Sequence, residues 1–157
     1  MALHATDVGN QKALMSLGVD TLQRAGFAVE DATSDWGTLL QRRANRNSSA
    51  QGGWDALIVL LSGAELMTPA GHLLLRGNGA DAWFGWPTAP KLEALREAWF
   101  DAPDLEAQKR IGRELQLQAF ADLPYIPLGQ YFTDSAYQKG LVDIRRGIPL
   151  PLNVRRG

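Results

Sequence analysis

Residues 56–63, Ala-Leu-Ile-Val-Leu-Leu-Ser-Gly, constrain the fold of this chain more than any other stretch. An almost unbroken apolar run of that length, entered from Gly52-Gly53 and closed by Gly63, predicts a strand buried on both faces. A strand of that kind needs apolar cover on both sides. The rest of the chain must therefore supply further strands and at least two amphipathic helices.

The residues before the run meet that demand. Ala2–Ala5 reads as a strand, followed by Asp7 and a turn around Gly9-Asn10. Leu14, Leu17, Leu22 and Ala25 then fall on one face of a helix, with Gly26 placed as its stop. Phe27–Thr33 returns to a strand-like mixture. Ser34 or Asp35 can cap a second helix whose apolar face is Trp36, Leu39 and Leu40. Residues 45–53 are polar and contain glycine, which predicts a loop. Strand, helix, strand, helix, buried strand is the order of an α/β layer protein, here expected as a mixed sheet flanked by helices.

Past the run, Met67–Leu75 predicts a short helix, and residues 76–87 a glycine-rich turn carrying Trp83, Phe84 and Trp86. A helix follows over residues 89–100, with Leu92, Leu95 and Trp99 on one side. Another starts near Pro103, where proline suits a first turn. Asp104 and Glu106 stand there where the helix dipole favours acids. Ile111, Leu115 and Ala119 form its inner face. The next stretch, residues 118–140, is too apolar for a loop and too proline-rich for a helix. Pro124 and Pro127 bracket Tyr125 and Ile126, which predicts an extended edge or crossover segment.

Composition narrows function mostly by exclusion. The chain has 157 residues and a net charge of −1, so nothing in its overall charge draws it to nucleic acid or an anionic membrane. The absence of cysteine excludes disulfides, thiolate metal sites and cysteine nucleophiles. The N-terminus lacks the basic-then-apolar layout of a signal peptide, and the chain reads as if it begins partway through a fold. His4 and His72 stand far apart, no serine sits in a GxSxG elbow, and Gly77-Asn-Gly79 is only half of a dinucleotide fingerprint. No nucleophile, base and oxyanion site come together, and no cofactor or metal is implied. A non-enzyme is expected. Trp36 and Trp99, on apolar helix faces, are expected in the core. Trp54, Trp83 and Trp86 lie in predicted turns, where an indole either plugs a loop or lines a ligand pocket.

The ordered set of Gly-Gly-Trp-Asp-Ala, the buried run, Ser-Gly-Ala-Glu-Leu-Met-Thr-Pro, an aromatic glycine-rich turn, two helices and Asp122-Leu-Pro-Tyr-Ile-Pro-Leu128 resembles one family. It is similar to the C-terminal part of the family 5 extracytoplasmic solute-binding proteins, the peptide- and nickel-type receptors of ABC importers. The resemblance runs from residue 3 to residue 156. It implies a lobe of the class II periplasmic-binding-protein fold, over residues 1–143. Residues 144–157 would be a tail returning toward an N-terminal lobe that is absent here. It also implies a periplasmic location, a peptide or similar small ligand, cleft closure, and delivery to an ABC permease. Self-association through the exposed lobe interface is a further expectation. An acid four residues before a proline clamps the peptide α-ammonium in peptide-binding relatives. Glu65, four before Pro69, occupies that place, although a glutamate stands here where those relatives carry aspartate, and Ser62 where they often carry an aromatic residue. Tyr125, Gln130 and Tyr131 would present polar tips near the cleft.

Overall fold

The computed structural model describes residues 1–5, 11–132, 134–145 and 152–157. The expected turn at Gly9-Asn10 and residues 146–151 of the tail lie outside them. Two compact units are present, Met1–Pro127 and Leu128–Gly157.

The first unit opens with three parallel strands. β1 (Ala2–Ala5) is central, flanked by β2 (Asp31–Ser34) and β3 (Ala56–Leu57), in the order β2-β1-β3. The register pairs Ala2 with both Asp31 and Ala56. Helix α1 (Gln11–Arg24) carries the chain from β1 to β2, and α2 (Trp36–Arg42) carries it back to β3 on the far side of β1. Right-handed crossovers in opposite directions place two helices on opposite faces of a sheet, and the packing agrees. Ala2 and its neighbour Ala56 join Met15, Val19 and Ile58 beneath α1. Ala5, Ala32 and Leu57 pack with Leu39 of α2 on the other side. The α/β reading therefore holds, with a wholly parallel three-stranded sheet.

Several local expectations are corrected. The inward face of α1 is Met15, Gly18 and Val19, with Leu22 half-buried, whereas Leu17 and Ala25 are exposed. Positions 15, 18, 19 and 22 follow the i, i+3, i+4, i+7 spacing. Gly26 ends the helix as expected, at φ 93°, and Phe27 N–H reaches back to the Leu22 carbonyl. Asp35 is the cap of α2, its carboxylate accepting from Thr38 N–H at 3.0 Å. Trp36 is not core. It sits in the first turn of α2 and is 39% exposed.

The apolar run forms a much shorter strand than expected. Among the described residues only Ala56 and Leu57 pair, with Ala2 and Leu3 of β1. Ile58 is buried and Leu60 packs beside it, so the run serves the core without a full ladder. Met67–Leu75 is not a helix either. Pro69 and Gly71 interrupt it, leaving one 3-10 turn at Gly63–Leu66 and another at Leu73–Leu75.

The last helices form where expected, except that Pro103 lies before the cap residue Asp104 rather than in the helix's first turn. α3 (Pro90–Phe100) begins on a proline, and α4 (Leu105–Asp122) is capped by Asp104, which accepts from Ala107 N–H at 2.8 Å. They pack through Leu92 and Leu115, both almost fully buried, with Leu95, Trp99 and Ala119 around them. α4 stops at Leu123, whose φ of 48° is left-handed, immediately before Pro124. Residues 124–132 make no strand, and most are exposed. An extended edge strand was expected there, but two prolines within four residues remove the donors a ladder needs. In the second unit, β4 (Leu141–Val142) pairs antiparallel with β5 (Arg155–Arg156), and Arg155 Nε donates to Asp143 at 2.7 Å.

Candidate functional site

In an open parallel sheet, ligands bind outside the carboxyl ends of the strands, where successive crossovers leave in opposite directions. Here that place lies between β1 and β3. The chain runs back across β1 and leaves β3 at Leu57, and within a few residues it turns at Gly63–Leu66.

Glu65 stands in that turn and is exposed. Its Oε2 accepts from Ser62 N–H at 3.2 Å, while Glu65 N–H donates to the Ser62 carbonyl at 3.0 Å. This reciprocal pair is a capping arrangement, the local reason a Ser-x-x-Glu sequence turns here. It ties one carboxylate oxygen to the head of the turn in a residue that is exposed.

The segment that follows is tied to α3. Arg96 Nε donates to the Pro69 carbonyl at 3.2 Å and Nη2 to that of Ala70 at 3.3 Å. Glu93 Oε1 accepts from Gly77 N–H at 2.7 Å and from Arg76 Nε at 3.1 Å. Burial works against the charge of Glu93, but these bonds, with the charges of Arg76 and Arg96, outweigh it and hold the carboxyl below its ordinary range. Gly77 carries no side chain because none fits: a Cβ there would lie 2.6 Å from that of Ala89.

His72 is the buried polar side chain of this segment, 7% exposed. Its Nε2 lies 3.3 Å from the Tyr125 hydroxyl, the rings 5.4 Å apart, and Nδ1 is buried without a hydrogen-bond partner. Burial lowers the imidazole pKa and raises that of Tyr125. Tyr125 therefore turns its polar tip inward, onto His72. Gln130 and Tyr131 belong to the second unit and are exposed.

Trp54, Trp83 and Trp86 come together with Phe84. Trp54 lies 6.1 Å from Trp86, and Phe84 meets both Trp83 and Trp86 edge-on. Arg43 lies over Phe84 at 4.2 Å and Arg46 over Trp86 at 4.5 Å. The Trp54 indole N–H already donates to the Arg43 carbonyl at 3.1 Å. Trp54 also enters β3 from the amino edge of the sheet, whereas Glu65 follows its carboxyl edge. The basic residues could have been found from the polar Arg42–Arg46 run, but nothing in their spacing shows which rings they stack on.

No group of three or more His, Asp or Glu side chains among the described residues is arranged to hold a metal ion. No helix among them is long and apolar enough to cross a membrane.

The described residues thus form a parallel α/β unit with an exposed carboxylate, Glu65, in the turn that follows β3. The chain is 36% identical over 155 residues, 98% of its length, to a protein of Sinorhizobium fredii named as a probable peptide ABC transporter periplasmic-binding protein. The similarity to that class of protein is thus shown along nearly the whole chain, as the motif order implied. The chain spans 29% of that relative's length. No family model matches the chain.

Proposed function

We propose that this chain is the C-terminal lobe of a two-lobed solute-binding protein of the peptide ABC-importer type, binding without catalysis. The observation that carries the reading is the position of Glu65. Its exposed carboxylate follows β3, the strand after which a parallel sheet of this order would hold a ligand. The similarity to a protein named as a periplasmic peptide-binding component supports it. In this reading residues 1–143 form the lobe and residues 144–157 return toward the other lobe.

Glu65 pairs with the α-ammonium of a peptide, a charge-assisted contact that strengthens as the closing lobes exclude water. Gln130 and Tyr131, in the second unit, stand as ligand contacts on the family resemblance alone. Tyr125 is bonded to His72. The tryptophan cluster plugs loops at the other edge of the sheet. Closure around the ligand then presents the loaded receptor to a permease, outside the cytoplasm. Exposed Leu117 and Phe120 of α4, with Leu123 and Ile126 after them, give the lobe apolar surface of the kind a partner lobe covers.

The test is calorimetric titration of di- and tripeptides, free and N-acetylated, into the full-length protein that carries this chain. Free-amino peptides should bind and acetylated ones should not. Glu65→Gln should weaken the free peptides by about tenfold or more, the usual cost of losing a charged hydrogen bond. Equal affinity for the acetylated peptides, or for the variant, would refute the role given to Glu65. Failure of every peptide to bind would refute the ligand class.

A further inference from the structure

Between Ser62 and Gly77 no strand pairing is made among the described residues, and internal order comes from two short 3-10 turns and one hydrogen-bonded turn at Thr68–His72. A segment of that length would ordinarily sample many conformations. Its backbone is nevertheless held at several points by one face of one helix. Glu93 and Arg96 are three residues apart on α3, so both project to the same side. Arg96 takes the carbonyls of Pro69 and Ala70, and Glu93 takes the N–H of Gly77. Arg96 is itself oriented, with Glu97 at 3.8 Å and the Phe100 ring 4.9 Å below its guanidinium. Helix α3 is fixed in turn by Leu92 against Leu115.

The pinned stretch abuts the Glu65 turn. Gly71 and His72 both donate to the Thr68 carbonyl. A Cβ placed on Gly71 would lie 3.3 Å from the Glu65 carbonyl oxygen, so the two backbones are in contact. Whatever fixes Pro69–Gly71 therefore limits where Glu65 can stand.

We propose that Arg96 and Glu93 are positioning residues for the Glu65 turn. Together they hold it in the conformation that receives a ligand, without touching the ligand themselves. The proposal rests on the reading of Glu65 given above and adds the device that sets its affinity. A carboxylate on a mobile segment binds more weakly in proportion to the fraction of time it is correctly placed. Arginine suits the task because its planar fork spans two adjacent carbonyls, which a lysine ammonium does with less geometric control.

The experiment compares wild type, Arg96→Met, Arg96→Lys and Glu65→Gln in the full-length protein. Amide hydrogen exchange and calorimetry with trialanine and N-acetyltrialanine are the two measurements. Arg96→Met should speed exchange at Gly71 and His72 by about tenfold or more, since losing charged hydrogen bonds to two carbonyls costs that much. The amide of Leu115 should keep its protection. Trialanine affinity should fall by a similar factor, and Arg96→Lys should restore part of both effects. Unchanged exchange at Gly71 and His72 would overturn the clamp. Equal loss of protection at Leu115 would also overturn it, by making Arg96 a general stabiliser of the helices. If Arg96→Met frees the segment but trialanine affinity holds, the clamp exists and does not set affinity. If Glu65→Gln leaves trialanine binding unchanged, the reading of Glu65 fails, while the exchange result still decides whether the clamp is there.

Discussion

Gly77→Ala is the most exacting test of the packing around the candidate site. The residue sits where the segment after β3 meets the start of α3. Its N–H donates to Glu93 at 2.7 Å and its carbonyl accepts from Ala89 N–H at 2.8 Å. Its φ is not positive, so alanine brings no backbone strain and the penalty is steric alone. The new Cβ would stand 2.6 Å from the Ala89 Cβ and 2.9 Å from its nitrogen. The two strands of chain must part by about 1 Å to reach ordinary carbon contact. No side chain can swing away, because the opposing atoms are backbone and a Cβ. Overpacking of this kind costs about 1–3 kcal/mol. Lengthening the two hydrogen bonds, one of them to a carboxylate, adds roughly 1–2 kcal/mol. Alanine recovers about 0.4–1 kcal/mol by restricting the unfolded chain. A net loss of about 2–4 kcal/mol is expected, read as a shift in the urea midpoint at unchanged slope. A loss below about 0.5 kcal/mol, the range of a neutral surface change, would show that the two segments are not in contact and refute the reasoning.

Two further outcomes follow from the same structure. His72 is buried and its pKa is lowered, first by that burial, so the unfolded chain binds its proton more readily than the folded one. The stability His72 contributes is therefore complete above the ordinary histidine range and declines as pH falls through it toward the lowered value. Urea unfolding between pH 7.5 and 5 should show that decline in the wild type and a smaller one in His72→Gln; identical slopes would contradict it. Leu115→Ala empties a site that is 1% exposed between α3 and α4 and should cost about 2–5 kcal/mol. A cost under about 1 kcal/mol would mean that the α3–α4 core is not packed as described.

The order of elements was legible in the residues because each signal is local. Gly26 stops α1 by its left-handed φ, Asp35 and Asp104 cap the helices after them, and the spacing of Leu92, Ile111 and Leu115 marks inner faces. These depend on backbone sterics and on hydrogen bonds within a few residues. The Ser-x-x-Glu turn at Glu65 is equally local, whereas Glu65 itself stood out only through the family resemblance, as the acid four residues before Pro69. What the sequence could not decide was everything that needs a partner from elsewhere in the chain. The run at residues 56–63 is apolar enough for a long buried strand, yet among the described residues β1 pairs with only two of its residues. Leu17 and Val19 are similarly apolar, and only the sheet selects which of them faces inward. That Arg43 stacks on Phe84 and Arg46 on Trp86 could likewise not be read from the spacing of these residues. Arg96 and Glu93 look like ordinary solvated helix charges, and their hold on Pro69, Ala70 and Gly77 spans 16 to 27 residues of sequence. Local preference is carried by the chain itself, but contact between distant segments is a property of the packed whole.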